Sequence, residues 1–299
     1  LQKSGELRVS LLGGEPTLHP FFVDFVLYLV ERGFRVTVFT NGISSESRLK
    51  EIKTWLSASR AEELHFVCNL NEPDATSTST FEQTRVQDFL ASMGSLTSAG
   101  FNIYRTDFHL EFLFDLIERF KLKRNLRLGI AHPVPGFSGQ CIRPDDIGAV
   151  VDRLCSYRQS FERLRIKPTL DCGVPLCRLT DEQIGGLYRL GGHLKFQCSP
   201  AVDIAPDMSV YSCFPLARFY RRSIFEFNCL SEVRKYFEEV HALVRKESAG
   251  IYQECGQCVH RNEGLCAGGG TCHVLCELLT KEPSQTREID RELQNLRMP

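Results

Sequence analysis

The chain has 299 residues, 42% hydrophobic and 24% charged, long enough to bury a large core as one or two domains. Its 36 basic and 37 acidic residues leave a formal net charge of -1, so no summed field favours nucleic acid or an anionic membrane surface as a partner. No apolar run approaches the roughly 20 residues of a membrane-spanning helix, and residues 1–8 are too polar for a signal-peptide core.

From Val9 to His132 short apolar runs alternate with longer amphipathic stretches, the pattern of parallel strands joined by helical crossovers. Five strands are predicted, at Val9–Leu12, Arg35–Thr40, Leu64–Leu70, Asn102–Thr106 and Leu126–Ala131, each β-branched or aromatic enough for a buried sheet. A first helix starts at His19-Pro20, where the missing proline N–H costs little, and stops at Gly33. Further helices are predicted over Ser47–Ser59, over Phe81–Ser98 ahead of Gly100, over Leu110–Phe120 and over residues 145–163.

Leu12 ends a strand at Gly13-Gly14, where no Cβ blocks close approach of a ligand to the backbone. Glu15 then presents a carboxylate at the C-terminal rim of the sheet, where parallel α/β architectures bind ligands. A carboxylate there suits an ammonium group, because a charge-assisted hydrogen bond is about twice as strong as a neutral one. The alternative is a turn in which Gly-Gly-Glu-Pro only reverses the chain.

Gly13-Gly14-Glu15-Pro16 resembles the motif with which radical S-adenosylmethionine (SAM) enzymes hold the methionyl amino group of SAM, and Thr40-Asn41-Gly42 after the next strand fits the same pattern. The resemblance covers most of residues 7–135 and implies an α/β fold, a partial (β/α)6 TIM-like barrel. It places Gly13, Gly14, Glu15, Pro16, Thr40 and Asn41 at the SAM site, and by their place on the rim it brings Asn69, Asn71 and Arg105 near the ribose or carboxylate of SAM. Ordinary turn and surface roles are the alternative for these last three. His132-Pro133-Val134-Pro135-Gly136 closes the last strand, with His132 read as a satisfied turn residue. In the family a C-x3-C-x2-C loop after strand one binds the SAM-cleaving 4Fe-4S cluster, and no such spacing occurs in the 299 residues. On this reading Val9–Leu12 is strand two, strand one and its loop lie upstream of Leu1, and the 299 residues alone are inactive. Descent from the family with loss of activity is the alternative.

Twelve of the thirteen cysteines lie between Cys141 and Cys276. A secreted disulfide framework belongs to shorter chains with too little core, so reduced thiols bound to metal fit better. Cys141, Cys155 and Cys229 lack close cysteine partners and read as structural, and Cys68 as a small core residue. The rest form spaced sets: Cys172 and Cys177, Cys198, Cys213, then Cys255, Cys258, Cys266, Cys272 and Cys276 as C-x2-C-x7-C-x5-C-x3-C. Thiols two residues apart can bite one metal or two irons of a cluster. Zinc would use four of the five clustered thiols. The fifth, the second set supplied upstream, and the amides exposed by Gly256 and Gly268-Gly269-Gly270 favour iron–sulfur clusters.

The spacing resembles the SPASM or twitch extension of radical SAM enzymes, written C-x9-15-G-x4-C, then C-x2-C-x5-C-x3-C, then a last cysteine. Cys198 and Cys213 match the first spacing with Met208 in place of glycine, and a hairpin from Val202 to Tyr211 turning at Pro206-Asp207 can make the same bend. The gaps before Cys266 and Cys272 are each two residues too long. The resemblance implies a barrel over residues 1–165 and a small α+β cysteine-rich domain over 166–299. Cys255, Cys258, Cys266 and Cys276 would hold one 4Fe-4S cluster, and Cys177, Cys198, Cys213 and Cys272 another, with Cys172 competing for the place of Cys177.

The expected function is that of a cytoplasmic SAM-dependent radical enzyme modifying a peptide or protein side chain, with flavodoxin or ferredoxin as reductant. A non-catalytic iron–sulfur electron-transfer protein and a zinc-stabilised interaction module are the alternatives. No catalytic residue is identified, and Asp171, beside Cys172, is the one acid–base candidate.

Overall fold

The computed structural model describes residues 5–73, 79–134, 140–191, 198, 201–247 and 250–281. Six strands, β1 (Arg8–Leu11), β2 (Arg35–Thr40), β3 (Leu64–Asn69), β4 (Thr97–Ile103), β5 (Asn125–Ile130) and β6 (Lys167–Leu170), form one sheet in chain order. Every neighbouring pair is parallel. The crossovers carry α1 (Phe22–Glu31), α2 (Glu46–Leu56), α3 (Thr80–Met93), α4 (Glu111–Arg119), α5 (Ile147–Ser156) and α6 (Arg158–Leu164). A sheet that grows in one direction by right-handed crossovers collects all its helices on one face.

The strand sequences match this one-sided cover, because side chains alternate between faces. Val36, Val38, Leu64, Phe66, Ala99, Phe101, Leu126 and Leu128 are buried against the helices. Thr37, Phe39, His65, Asn69, Asn102, Arg127 and Thr169, on the other face, keep part of their surface exposed. That polar face departs from the two apolar faces usual for a parallel sheet.

β2 has the predicted limits and β1, β3 and β5 lie within a residue of theirs, whereas β4 starts five residues earlier than expected. The predicted third helix overran into it. Gly94 caps α3, and only glycine fits there, because a Cβ would meet the carbonyl oxygen of Phe120 at 2.2 Å. Gly100, read as a helix stop, is a mid-strand residue packed against Asn69. The sixth strand was not predicted: Lys167–Leu170 is short and contains Pro168, which demotes a strand reading. The single helix expected over 145–163 is two, broken at Tyr157, whose hydroxyl donates to Glu111 Oε2 at 2.9 Å.

After β6 comes α7 (Asp181–Arg189), whose Leu187 joins the same core as the barrel helices. A second core, of Val210, Val233, Tyr236, Phe237, Val240, Val244, Ile251 and Val274, lies between α8 (Leu230–Glu247), α10 (Thr271–Lys281) and an antiparallel sheet. That sheet is β7 (Val202–Ile204), β8 (Ser209–Ser212) and β9 (Arg222–Ser223), and α9 (Val259–Asn262) is a single turn. The predicted hairpin is therefore present. Met208 holds its bend at φ +63°, a left-handed conformation that favours glycine.

Polar contacts tie the two regions together. Glu6 pairs with Arg234 at 2.5 Å, Tyr252 donates to Asp145 at 2.7 Å, and the Arg178 guanidinium stacks 3.9 Å over the Tyr252 ring. Among the described residues no helix is long and apolar enough to cross a membrane.

Candidate ligand rim and thiol sites

At the end of β1, Gly13 and Gly14 take φ of +92° and +42°, which L side chains rarely adopt. The turn delivers Glu15 as the cap of a short 3-10 turn, Pro16–Leu18. Its Oε1 accepts the Thr17 N–H at 3.1 Å and the hydroxyls of Thr17 and Thr40 at 2.7 Å each. Its Oε2 accepts the Asn41 N–H at 2.6 Å. The Thr40 hydroxyl oxygen in turn accepts the Gly42 N–H at 3.0 Å, and Asn41 Oδ1 accepts the Ile43 N–H at 2.8 Å. Gly-Gly-Glu-Pro and Thr-Asn-Gly are thus one hydrogen-bonded unit joining the ends of β1 and β2. Each carboxylate oxygen has two lone pairs; Oε1 carries three donors and Oε2 one, so Oε2 is the less occupied oxygen.

Beside this unit a cavity of about 310 Å³ is lined by Asn41, Asn69 and Asn71 from the rim, Gln83 and Gln87 from α3, and Phe112 and Arg119 from α4. Of the other rim candidates, Arg105 is committed to an ion pair with Glu72 and lies 3.3 Å from Asp107. Glu72 also accepts the His109 N–H at 2.7 Å.

The polar sheet face supplies residues the sequence reading missed. Arg127 pairs with Asp171, donates to Asn69 Oδ1 at 3.4 Å and lies 5.1 Å over the Phe39 ring. A Cβ at Gly100 would meet Asn69 Oδ1 at 2.7 Å, and one at Gly129 would meet Asn102 Oδ1 at 2.5 Å, so both glycines make room for amide side chains. Their signal was the polar residue at every second position of otherwise apolar strands, as in Asn-Leu-Arg-Leu-Gly-Ile. Asp171, the acid–base candidate, is a member of this row and is held by Arg127.

The thiols gather in two groups that differ from the expected partition. Cys177, Cys255, Cys258 and Cys266 line one cavity with His260, Gly268 and Gly269. Burial raises the pKa of the Cys177 thiol, and the neighbouring Cys255 and Cys266 add to this. Cys172, Cys198, Cys213 and Cys272 form the other group. Burial pushes Cys213 up to about 12, reinforced by Cys172 and Cys198. Burial likewise raises Cys272 well above the ordinary thiol range, with Cys198, Cys213 and Cys172 contributing in turn. Thiols that resist ionisation so strongly when alone become thiolates only beside a cation.

Cys177 therefore lines the cavity of Cys255, Cys258 and Cys266, against the first expectation, while Cys172 neighbours Cys213 and Cys272, the place for which it was read as a competitor. Burial pushes Cys276 up to about 11, with Cys141 adding to this. Cys68 is fully buried in the barrel core as expected. Cys155 packs on Gly186 of α7, and Cys229 is exposed.

A buried polar chain fixes the second group. Ser212 Oγ and His241 Nε2 lie 2.9 Å apart, and His241 Nδ1 and Thr271 Oγ1 2.8 Å apart. The Thr271 hydroxyl points to Cys198 Sγ at 3.8 Å, and Arg245 donates to the Cys198 carbonyl oxygen at 3.1 Å. On the barrel side of Cys272, His132 Nδ1 and His273 Nε2 are 2.8 Å apart. Burial lowers the His132 pKa to about 4; burial, with His132 adding, lowers that of His273 to about 3, so both rings are neutral at pH 7. His132 is satisfied, as read from sequence, by a partner 141 residues away.

No protein family and no curated protein matches the chain by sequence. Solved structures do match. SuiB of Streptococcus suis bound to its precursor peptide SuiA superposes with a TM-score of 0.52 at 16% identity, covering 76% of this chain and 54% of that one. SuiB bound to S-adenosylmethionine gives 0.51 at 16% identity with the same coverage, and SuiB alone gives 0.51 at 15%. The chain spans about half the length of these structures. This likeness shows the fold alone: the parallel α/β sheet is shared with SuiB.

Proposed function

We propose that the chain serves a SAM-dependent radical enzyme that modifies a peptide or protein side chain. The observation that carries this reading is the pairing of a hydrogen-bonded Gly-Gly-Glu-Pro rim with eight thiols in two groups of four. When bound, SAM and iron–sulfur clusters supply reductive cleavage of SAM to a 5′-deoxyadenosyl radical and removal of a substrate hydrogen. The residues of this chain would do the rest. Glu15 Oε2 receives the methionyl ammonium, Gly13 and Gly14 let it come close, and Asn41 and Asn69 turn amide groups toward polar atoms of the nucleoside. Cys177, Cys255, Cys258 and Cys266 hold one auxiliary cluster, and Cys172, Cys198, Cys213 and Cys272 the other. The peptide substrate is suggested by SuiB and SuiA, and a flavodoxin or ferredoxin in the cytoplasm would deliver electrons.

Iron–sulfur is favoured over zinc by the spread of the thiols. Four sulfurs at about 2.3 Å from one tetrahedral zinc lie about 3.8 Å apart. Among the described residues, the one group of three or more donors within 4.8 Å of one another contains a single cysteine. Two sets of four thiols, where one zinc would use four in all, suit two bodies of several irons.

Two results test the reading. The coding sequence ahead of Leu1 is expected to encode C-x3-C-x2-C, and a reading frame without it contradicts catalysis. In protein containing that loop, Glu15→Ala is expected to weaken SAM binding by calorimetry, and unchanged affinity removes Glu15 from the site.

A further inference from the structure

The one group of donor atoms among the described residues close enough to share a single ion is His132, Cys272 and His273, all within 4.8 Å of one another. It spans the two regions: His132 lies two residues after β5, at the barrel rim, and His273 lies on α10 next to Cys272. The rings meet edge to face, 4.9 Å between centroids, and Cys272 is 6% exposed. Gly270 lets the backbone close over this corner, since a Cβ there would lie 3.3 Å from both Cys272 Sγ and the His273 ring.

We infer that His273 is a protein ligand of the metal centre formed by Cys172, Cys198, Cys213 and Cys272, with His132 as its positioning residue. The inference rests on the cluster reading above. The 2.8 Å hydrogen bond engages His273 Nε2 and leaves Nδ1 as the ligand atom. A ligand imidazole is ordinarily held through its other ring nitrogen by such a partner, which fixes its tautomer and plane. The approach of His273 is from the barrel side of Cys272, where it would compete with the thiolates for a place at the centre. Where the imidazole replaces an anionic thiolate, the reduction potential of an iron–sulfur centre rises.

The test is pulsed EPR of the reconstituted, reduced protein, with iron and sulfide measured on the same sample. The expected result is a nitrogen hyperfine coupling of ligand strength that changes when histidine is labelled with 15N. It is lost in His273→Ala and altered in His132→Ala. Labelling the unmutated chain decides the matter even where a variant loses its metal. Iron and sulfide present with no histidine-dependent coupling would overturn the histidine ligand and leave the cluster reading standing, whereas no iron or sulfide overturns both.

Discussion

The barrel half and the cysteine-rich half hold themselves together differently. The barrel buries one apolar sheet face under its crossover helices in a core that runs from Phe22 to Leu190. The cysteine-rich half has a core of eight residues, a smaller cluster of Leu216, Cys272 and Leu275, a three-stranded sheet and the two thiol groups, to which the segment after β6 lends Cys172 and Cys177. Apolar burial at about 25 cal/mol per Å² can carry the first. In the second, burial makes the Cys213 and Cys272 thiols costly to ionise. The comparison teaches that the rim sits on a scaffold with a large apolar core, whereas the cysteine-rich region has a small one and, on the proposed reading, would draw on the metal its thiols bind.

The largest effect separating the halves should come from metal removal. A chelator under anaerobic conditions is expected to expose the amides of α8 and α10 to hydrogen exchange while those of β2 to β5 stay protected. Equal loss of protection in both halves would contradict the division. The converse break is Gly94→Ala, whose new methyl meets the Phe120 carbonyl. It should cost about 1–3 kcal/mol of barrel stability in denaturant unfolding and leave the iron content unchanged.

Glu15 sharpens the comparison at the rim. Its loss leaves the buried Thr17 and Thr40 hydroxyls without their acceptor, so Glu15→Ala should lower stability by about 1–3 kcal/mol. Glu15→Gln keeps an acceptor oxygen and should recover most of that stability without recovering SAM affinity. Recovery of both would reduce Glu15 to a tether.

The rim was legible in the sequence because glycine and carboxylate chemistry is local: Gly13, Gly14, Glu15 and the Thr40-Asn41-Gly42 turn need only their neighbours along two strands. Cys177 was assigned to the other set because spacing records which thiols are near in the chain, while the cavity wall is made by a segment after β6 that returns beside Cys255. Arg127 and Asn102 escaped notice because their strands read as apolar until the helix-free face is known. β6 escaped because Pro168 argues against a strand, although at the sheet edge a missing N–H is tolerated.

Acid should act on the barrel through His65, whose pKa is lowered to about 4, first by burial and then by Lys123. The unfolded chain protonates this ring near 6.5. The folded chain binds fewer protons between pH 6.5 and 4, so stability falls as pH falls through that window. His65→Phe should flatten the slope of unfolding free energy there, and an unchanged slope would assign it to other groups. The smallest effect expected is Met208→Gly, which relieves a left-handed residue at the β7–β8 bend. It should raise the stability of the metal-loaded cysteine-rich half by roughly 0.5–1 kcal/mol in thermal unfolding.

The most direct test of the account is iron, acid-labile sulfide and zinc per chain after anaerobic reconstitution of the unmutated protein, Cys177→Ala and Cys276→Ala. Two four-iron clusters predict about eight irons with matching sulfide in the unmutated protein, the same in Cys276→Ala and about half in Cys177→Ala. Zinc without sulfide, or equal loss of iron in the two variants, would contradict it.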